Sequence, residues 1–351
     1  MAIYAIWNNK GGVGKSYLSF QIAAEYARSH PAEKILIIDL CPQANSSSMF
    51  LGGIENGEKI LNQLGIQNPR RTISGYVEER ISSPYVNPQK GALYVMKVAE
   101  KNSHIPSNVF LVPGDEQLEI QASRVLSATN PGPKDAWRIV HTWIRDLITD
   151  IKTAWNQQKI TVFIDCNPSF SIYTELALSA ADRLIIPFSA DGSSRRAVRA
   201  VLALIYGITR LQGGQQSEYF INCETYGMSI PRIYCYAGNR LTQFLGSAKA
   251  FRTIVREIGD EVWSVWKSNP NLFYIHPSGA GSPKDRHTFE KMFQFEIVDA
   301  NTASVVSSSL GIPIVEMTAG EYTVLGKNVK VNQSQLDKQK PNIQTLVAEI
   351  E

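Results

Sequence analysis

The stretch Asn8-Asn9-Lys10-Gly11-Gly12-Val13-Gly14-Lys15-Ser16 constrains this chain more than any other. It follows the apolar run AIYAIW and opens a segment, Lys15 to Arg28, with Leu18, Ile22 and Tyr26 on one face at i, i+4 and i+8 spacing. A strand, a Gly-rich turn and an amphipathic helix in that order are the setting in which backbone N–H groups converge on phosphate. Glycines let those groups turn inward without a Cβ clash, and the helix points its positive end at the same anion. Lys15 is then placed to neutralise the β- and γ-phosphates and the Ser16 hydroxyl to ligate Mg²⁺, with Gly11, Gly12, Val13, Gly14 and Tyr17 completing the nucleotide-contacting stretch. The strict pattern G-x-x-x-x-G-K-[ST] fails at Asn9. The segment fits K-G-G-x-G-K-[ST] instead, with an additional lysine, Lys10, early in the loop. A plain Gly-rich connector is the alternative, and the number of consecutive fitting positions between correct flanks weighs against it.

Short β-branched runs alternate with helical patterns along the rest of the chain, the signature of an α/β fold with a doubly wound, mostly parallel sheet and helices on both faces. Expected strands are AIYAIW, KILIID ending at Asp39, VFLVP from Val109, ITVFID ending at Asp165, RLIIPF ending at Phe188, RIYCYA ending at Ala237 and IPIVEM ending at Met317. Expected helices include Lys15 to Arg28, Ala136 to Trp155, Arg195 to Leu211 and Leu241 to Ile258. The 351 residues read as one domain, 1–351, with irregular insertions near 52–107, 212–230 and 269–287. The run from 52 to 107 holds one short helical piece, near Val77 to Ile81.

Two strand ends carry carboxylates. Asp39 is followed by Leu40-Cys41-Pro42-Gln43-Ala44-Asn45, and Asp165 by Cys166-Asn167-Pro168-Ser169. Ligands of open α/β sheets sit beyond the carboxyl ends of the strands, so the phosphate loop and both aspartates meet at one edge. Asp39 and Asp165 suit an outer shell around Mg²⁺; a helix cap or turn residue is the alternative for each.

These segments resemble the ParA/MinD family of deviant Walker A ATPases, and more the ParA branch that segregates plasmids and chromosomes. NNKGGVGKS is similar to that branch's NQKGGVGKT, IIDLCPQANSS to its Walker A′ segment, VFLVPGDEQLEIQ to its middle strand and helix, FIDCNPSFSIYTELALSAADRLIIPFSAD to its Walker B region, and SLGIPIVEM to its late strand. The resemblance implies a P-loop NTPase fold (Rossmann-like, three-layer) and a homodimer formed with ATP and Mg²⁺. In it Lys10 reaches the partner's phosphates, as an arginine finger does, while Lys15, Asp39 and Asp165 serve the reaction. It also implies non-specific DNA binding in the ATP state, a ParB-like or adaptor partner protein, and an adenine contact from Asn239. Cys41 replaces the family's second Walker A′ aspartate, and a neutral thiol cannot accept a water proton; slow hydrolysis is expected, or a switch that works on binding.

The net charge is only +3, so DNA binding must rest on a local patch. Arg195, Arg196, Arg199 and Arg210 form one candidate stripe, with a solvated face or intrachain pairing as the alternative. Lys249, Arg252 and Arg256 form another. A membrane role, as on the MinD side of the family, would use Ile343, Leu346, Val347 and Ile350, but Glu349 and Glu351 flank that face and core packing is expected. Cys41, Cys166, Cys223 and Cys235 lack the setting of an iron–sulfur cluster. A small-molecule ligase of the same fold would need a polar pocket near the γ-phosphate, for which His104, His276 and residues 269–287 are the candidates. With no leader pattern and no spanning run, the protein is expected to be cytoplasmic and nucleoid-associated with ATP, without an operator-binding extension before the first strand.

Overall fold

The structure, a computed structural model, describes residues 1–130, 132–209, 214–241 and 247–351, with backbone alone for 240, 241 and 247–251. Its first half runs β1 (Ala2–Ile6), α1 (Lys15–Ser29), β2 (Lys34–Leu40), α2 (Asn45–Phe50), α3 (Gly53–Gly65), α4 (Ile73–Ser82), β3 (Met96–Lys97), β4 (Val109–Val112), α5 (Gln117–Thr129), α6 (Ala136–His141) and α7 (Trp143–Ala154). Then come β5 (Ile160–Cys166), α8 (Ile172–Ala180), β6 (Arg183–Phe188), α9 (Ser194–Tyr206), α10 (Glu218–Tyr226), β7 (Arg232–Leu241) and α11 (Ser247–Ser268). The chain closes with α12 (Arg286–Phe293), β8 (Gln294–Val298), α13 (Thr302–Leu310), β9 (Gly320–Val324), β10 (Lys327–Val331) and α14 (Gln333–Ala348).

Eight strands form one sheet in the order β3-β4-β2-β5-β1-β6-β7-β8, parallel except for β3, and β9 with β10 makes a separate hairpin. Side chains of a strand alternate between faces, so a strand covered on both sides is apolar throughout. In β1, Ile3 and Ala5 join one apolar cluster while Tyr4 and Ile6 join the other; in β2, Leu36 and Ile38 oppose Ile35 and Ile37 in the same way. Helices α1, α13 and α14 cover one face, and α4 to α9 the other. Within α14, Ile343, Leu346 and Val347 are buried, as is Ile350 just beyond it, so this face packs in the core as expected. Among the described residues no helix is long and apolar enough to cross a membrane.

Several expectations are corrected. IPIVEM is not a strand: the N–H groups of Glu316 and Met317 turn back to the Pro313 carbonyl, and that of Ile314 donates to Gln21 Oε1 on α1. Its apolar residues are buried because they pack under α1, not because they join the sheet. Two strands of the sheet, the short β3 and β8, QFEIV, are absent from the expected set. Ala136 to Trp155 is two helices, broken at Thr142, whose hydroxyl bonds back to the Ile139 carbonyl. Residues 52–107 contain α3 as well as α4, and 212–230 contains α10. In 269–287, Phe273 and His276 are buried, so that segment is only partly a surface insertion. Helix α9 ends at Tyr206, short of the expected boundary, and Arg210 and Leu211 lie outside the described residues.

Candidate nucleotide site

The loop 8–14 joins β1 to α1, and its shape is held from several sides. Gly12 and Gly14 have φ of +75° and +78°, a region L side chains rarely adopt, and a Cβ built on Gly11 or Gly12 would meet nothing within 4 Å. The concave side is therefore open while the backbone is fixed. Asn8 Nδ2 donates to the Pro187 carbonyl at the end of β6 (2.7 Å). Lys15 is buried, and its ammonium donates to the carbonyls of Asn8 (3.2 Å) and Lys10 (2.7 Å). Burial lowers its pKa, opposed by the charge of Asp165. Tyr17 is buried against α14 and donates to Gln339 Oε1 (2.7 Å). Asn239, on β7, lies under the loop and donates to the carbonyls of Val13 (3.0 Å) and Gly14 (3.3 Å). The structure thus gives its amide nitrogen to the loop's backbone.

Strand register brings the carboxylates together. β5 lies between β1 and β2, and Asp165 pairs across to Ile6 on one side and Asp39 on the other. Both aspartates have no exposed surface. Asp39 accepts from the backbone N–H of Cys41 (3.0 Å) and from Ser47 through N–H (3.0 Å) and hydroxyl (2.7 Å). Asp165 Oδ1 accepts from Ser19 (3.2 Å), but its Oδ2 is buried with no partner. Burial, then the neighbouring Asp39 charge, pushes Asp165 up to about 7, and burial also raises Asp39. An orphaned carboxylate oxygen beside a second buried carboxylate, with the Ser16 hydroxyl bearing on Asp165, fits a divalent cation bound there with phosphate.

Cys41 is 4% exposed, and burial with the Asp39 and Asp165 charges pushes its thiol up to about 12. It is a neutral group at the site's edge. Cys166, Cys223 and Cys235 are likewise buried free thiols. A cleft of about 860 Å³ runs from Gly12 and Lys15 past Cys41 to Leu61 and Arg70. His104 and His276 do not line it; His276 is buried under Tyr234, bonded to that residue's carbonyl (2.9 Å).

Lys10 is not extended toward solvent. Its ammonium forms an ion pair with Asp191 and hydrogen bonds to Ser189 Oγ (3.0 Å) and Ser194 Oγ (3.2 Å), all in its own chain. Of the candidate basic stripes, Arg195 pairs with Glu261 (2.8 Å) and Glu257 (3.2 Å) of α11, and Arg199 pairs with Glu261. The intrachain alternative holds for those two. Arg196, Arg252 and Arg256 are exposed, while Arg210 and the Lys249 side chain lie outside the described residues. The sequence alone did not single out Ser46, Ser47 or Gly114. Ser47 clamps Asp39 and accepts from the Gly114 N–H (2.8 Å), and a Cβ on Gly114 would lie 2.9 Å from the Asp39 carboxyl carbon. The serine run after PQAN was the available signal. Asp191 was missed because its partner, Lys10, lies 181 positions away.

A family model described as an AAA domain matches residues 1–216. The chromosome partitioning protein ParA of Caulobacter vibrioides is 25% identical over 213 residues, which are 61% of this chain and 64% of that protein. The chain thus spans less than two thirds of that relative's length. The apo McdA of Cyanothece superposes with a TM-score of 0.59 at 18% identity, covering 99% of each chain. An ATP complex of the same protein, carrying one aspartate-to-alanine substitution, gives 0.58 at 17% identity, covering 100% of this chain and 98% of that one. These superpositions establish a shared fold.

Proposed function

Since this chain belongs to the AAA-domain family of ParA/MinD-type P-loop proteins, we propose that it is an ATP-dependent dimerisation switch that acts in DNA partition or intracellular cargo positioning. The observation that carries the reading is the open glycine cradle, with Lys15 buried behind it and Asp165 Oδ2 left without a partner beside it. In this proposal Gly11 to Ser16 bind the triphosphate, and Lys15 leaves its two loop carbonyls for the β- and γ-phosphates. Ser16, Asp39 and Asp165 would hold Mg²⁺, which when bound supplies positive charge between phosphate oxygens. Lys10 crosses to the phosphates of a second copy. Asn239 and Asn8 keep the loop backbone in place while the lysine moves. The ATP-bound McdA and the partition role of the Caulobacter relative support the assignment.

Hydrolysis is slow in this reading. A thiol held near 12 is protonated at neutral pH, so Cys41 cannot take the attacking water's proton. DNA binding in the ATP state falls to the two basic stripes, of which Arg196, Arg252 and Arg256 are exposed among the described residues, and a ParB-like or adaptor protein would act on the surface loops. Residues 1–351 act as one domain, because strands from residues 2 to 298 share a sheet and α14 packs on α1. The test is calorimetry with Mg·ATP followed by sedimentation with and without nucleotide. Binding by the parent, none by Lys15→Ala, and ATP-dependent pairing are expected; no heat with the parent refutes the proposal.

A further inference from the structure

We propose that Asp191 is the positioning residue for Lys10: it holds the lysine within its own chain and releases it when two chains pair on nucleotide. This rests on the reading of Lys10 as the residue that crosses to a second copy.

The holding site is braced by bonds that do not involve Lys10. Asp191 accepts from Ser189 Oγ (2.7 Å) and, through its other oxygen, from Ser193 N–H (3.0 Å) and Oγ (2.8 Å). The Asp191 carbonyl accepts from the Ser194 N–H (3.0 Å), which fixes the turn that starts α9. Against this preset carboxylate the Lys10 ammonium finds three oxygens, of Asp191, Ser189 and Ser194, one for each N–H it can donate. The lysine is therefore fully satisfied in cis. At the same time the Lys10 carbonyl accepts from Lys15 (2.7 Å), so main chain and side chain of one residue are tied to opposite partners. A chain in which Lys10 serves a second copy must give up all three side-chain bonds. The side chains of Lys10 and Asp191 are 22% and 49% exposed, so the pair is partly screened and can open without unfolding anything. Two features make the device readable beyond stability. Its acceptor stands on the turn leading into α9, whose next residues, Arg195 and Arg199, are tied to α11. And every pairing event opens two such restraints.

The expected size follows from that count. A partly exposed ion pair biases a conformational equilibrium by up to about fivefold, so two per dimer amount to roughly 25-fold in the pairing constant. The experiment compares the parent with Asp191→Asn and Asp191→Ala in two measurements. The first is the rate at which Lys10 is acetylated by N-hydroxysuccinimide acetate in the nucleotide-free chain, read by peptide mass spectrometry against the exposed Lys59. The second is sedimentation with Mg and ATPγS across a concentration series. Both variants are expected to label Lys10 about fivefold faster than the parent and to pair roughly 25-fold more tightly. Equal labelling of parent and variants overturns the proposal, as does faster labelling with unchanged or weaker pairing. A parent that binds nucleotide but never pairs overturns the dimer reading itself, and labelling then still decides whether Asp191 restrains Lys10. Circular dichroism melting confirms that both variants are folded, and Asp191→Asn keeps an oxygen for Ser193 if Asp191→Ala does not fold.

Discussion

Replacing Cys41 with aspartate asks whether one atom group sets the speed of the proposed hydrolysis. The thiol is 4% exposed, two residues past Asp39, and lines the cleft that begins at Lys15. With its pKa near 12, a thiol is ionised in about one molecule in 10⁴ to 10⁵ at pH 7.5, too few to serve as a base. A carboxylate there can accept a proton from water, and a positioned general base contributes about 10²- to 10⁴-fold. Against this stands a third acidic group beside two buried carboxylates, which should destabilise the nucleotide-free chain by on the order of 1–3 kcal/mol. Cys41→Asp is therefore expected to melt lower when empty and to hydrolyse at least about 100-fold faster when loaded. Single-turnover release of γ-phosphate, with enzyme in excess and Cys41→Ser and Cys41→Asn as controls, measures the chemical step. Serine and asparagine should stay within about threefold of the parent, since neither is a base at this pH. If the parent already matches the aspartate variant, or serine gains as much as aspartate, the water is activated elsewhere and the argument fails.

The carboxylate pair gives a pH test. Asp165 is raised to about 7 in the folded chain, above its unfolded value, so its stabilising contribution is present at low pH and is lost as pH rises toward 7. Asp165→Asn should gain stability over the nucleotide-free parent between pH 5 and pH 8, by on the order of a few kcal/mol; a gain that does not grow with pH counts against it. On the DNA side, Ala substitutions at Arg196, Arg252 or Arg256 should each flatten the log–log salt dependence of binding by up to about 0.9. Arg195→Ala should instead lower the melting temperature through the lost α11 pairing, and the reverse pattern would reassign the surface. In the core, Leu346→Ala should cost about 2–5 kcal/mol in chemical denaturation, since the side chain has no exposed surface. A loss under about 0.5 kcal/mol would place α14 on the surface.

The parts of the fold legible in the sequence were those whose signal is local. β1, β2, β5 and β6 are short apolar runs because both their faces are covered, and each could be read from its own residues. β8 was not legible: it sits at the sheet's edge, alternates buried and exposed positions, and places Glu296 in its middle. IPIVEM misled for the converse reason, being buried without being paired. At the site, the loop and the two aspartates stood out because glycine spacing and strand ends are sequential features. The cis partner of Lys10 and the α11 partners of Arg195 and Arg199 depend on residues brought together only by the turn of the chain. The same holds for Asn239, where the residue was visible and its task beneath the loop was not.

That task has a consequence for how loss-of-binding variants behave. The cradle is moulded from below by Asn239, from the side by Asn8, and from within by Lys15 itself. Much of the ordering a triphosphate would otherwise impose is thus done during folding, so association should resemble a guest entering a finished seat. The lysine is one of the seat's own struts. Removing it yields a slackened seat as well as a missing cation, and a Lys15→Gln chain, able to reach at least one of the same carbonyls, is the fairer blank.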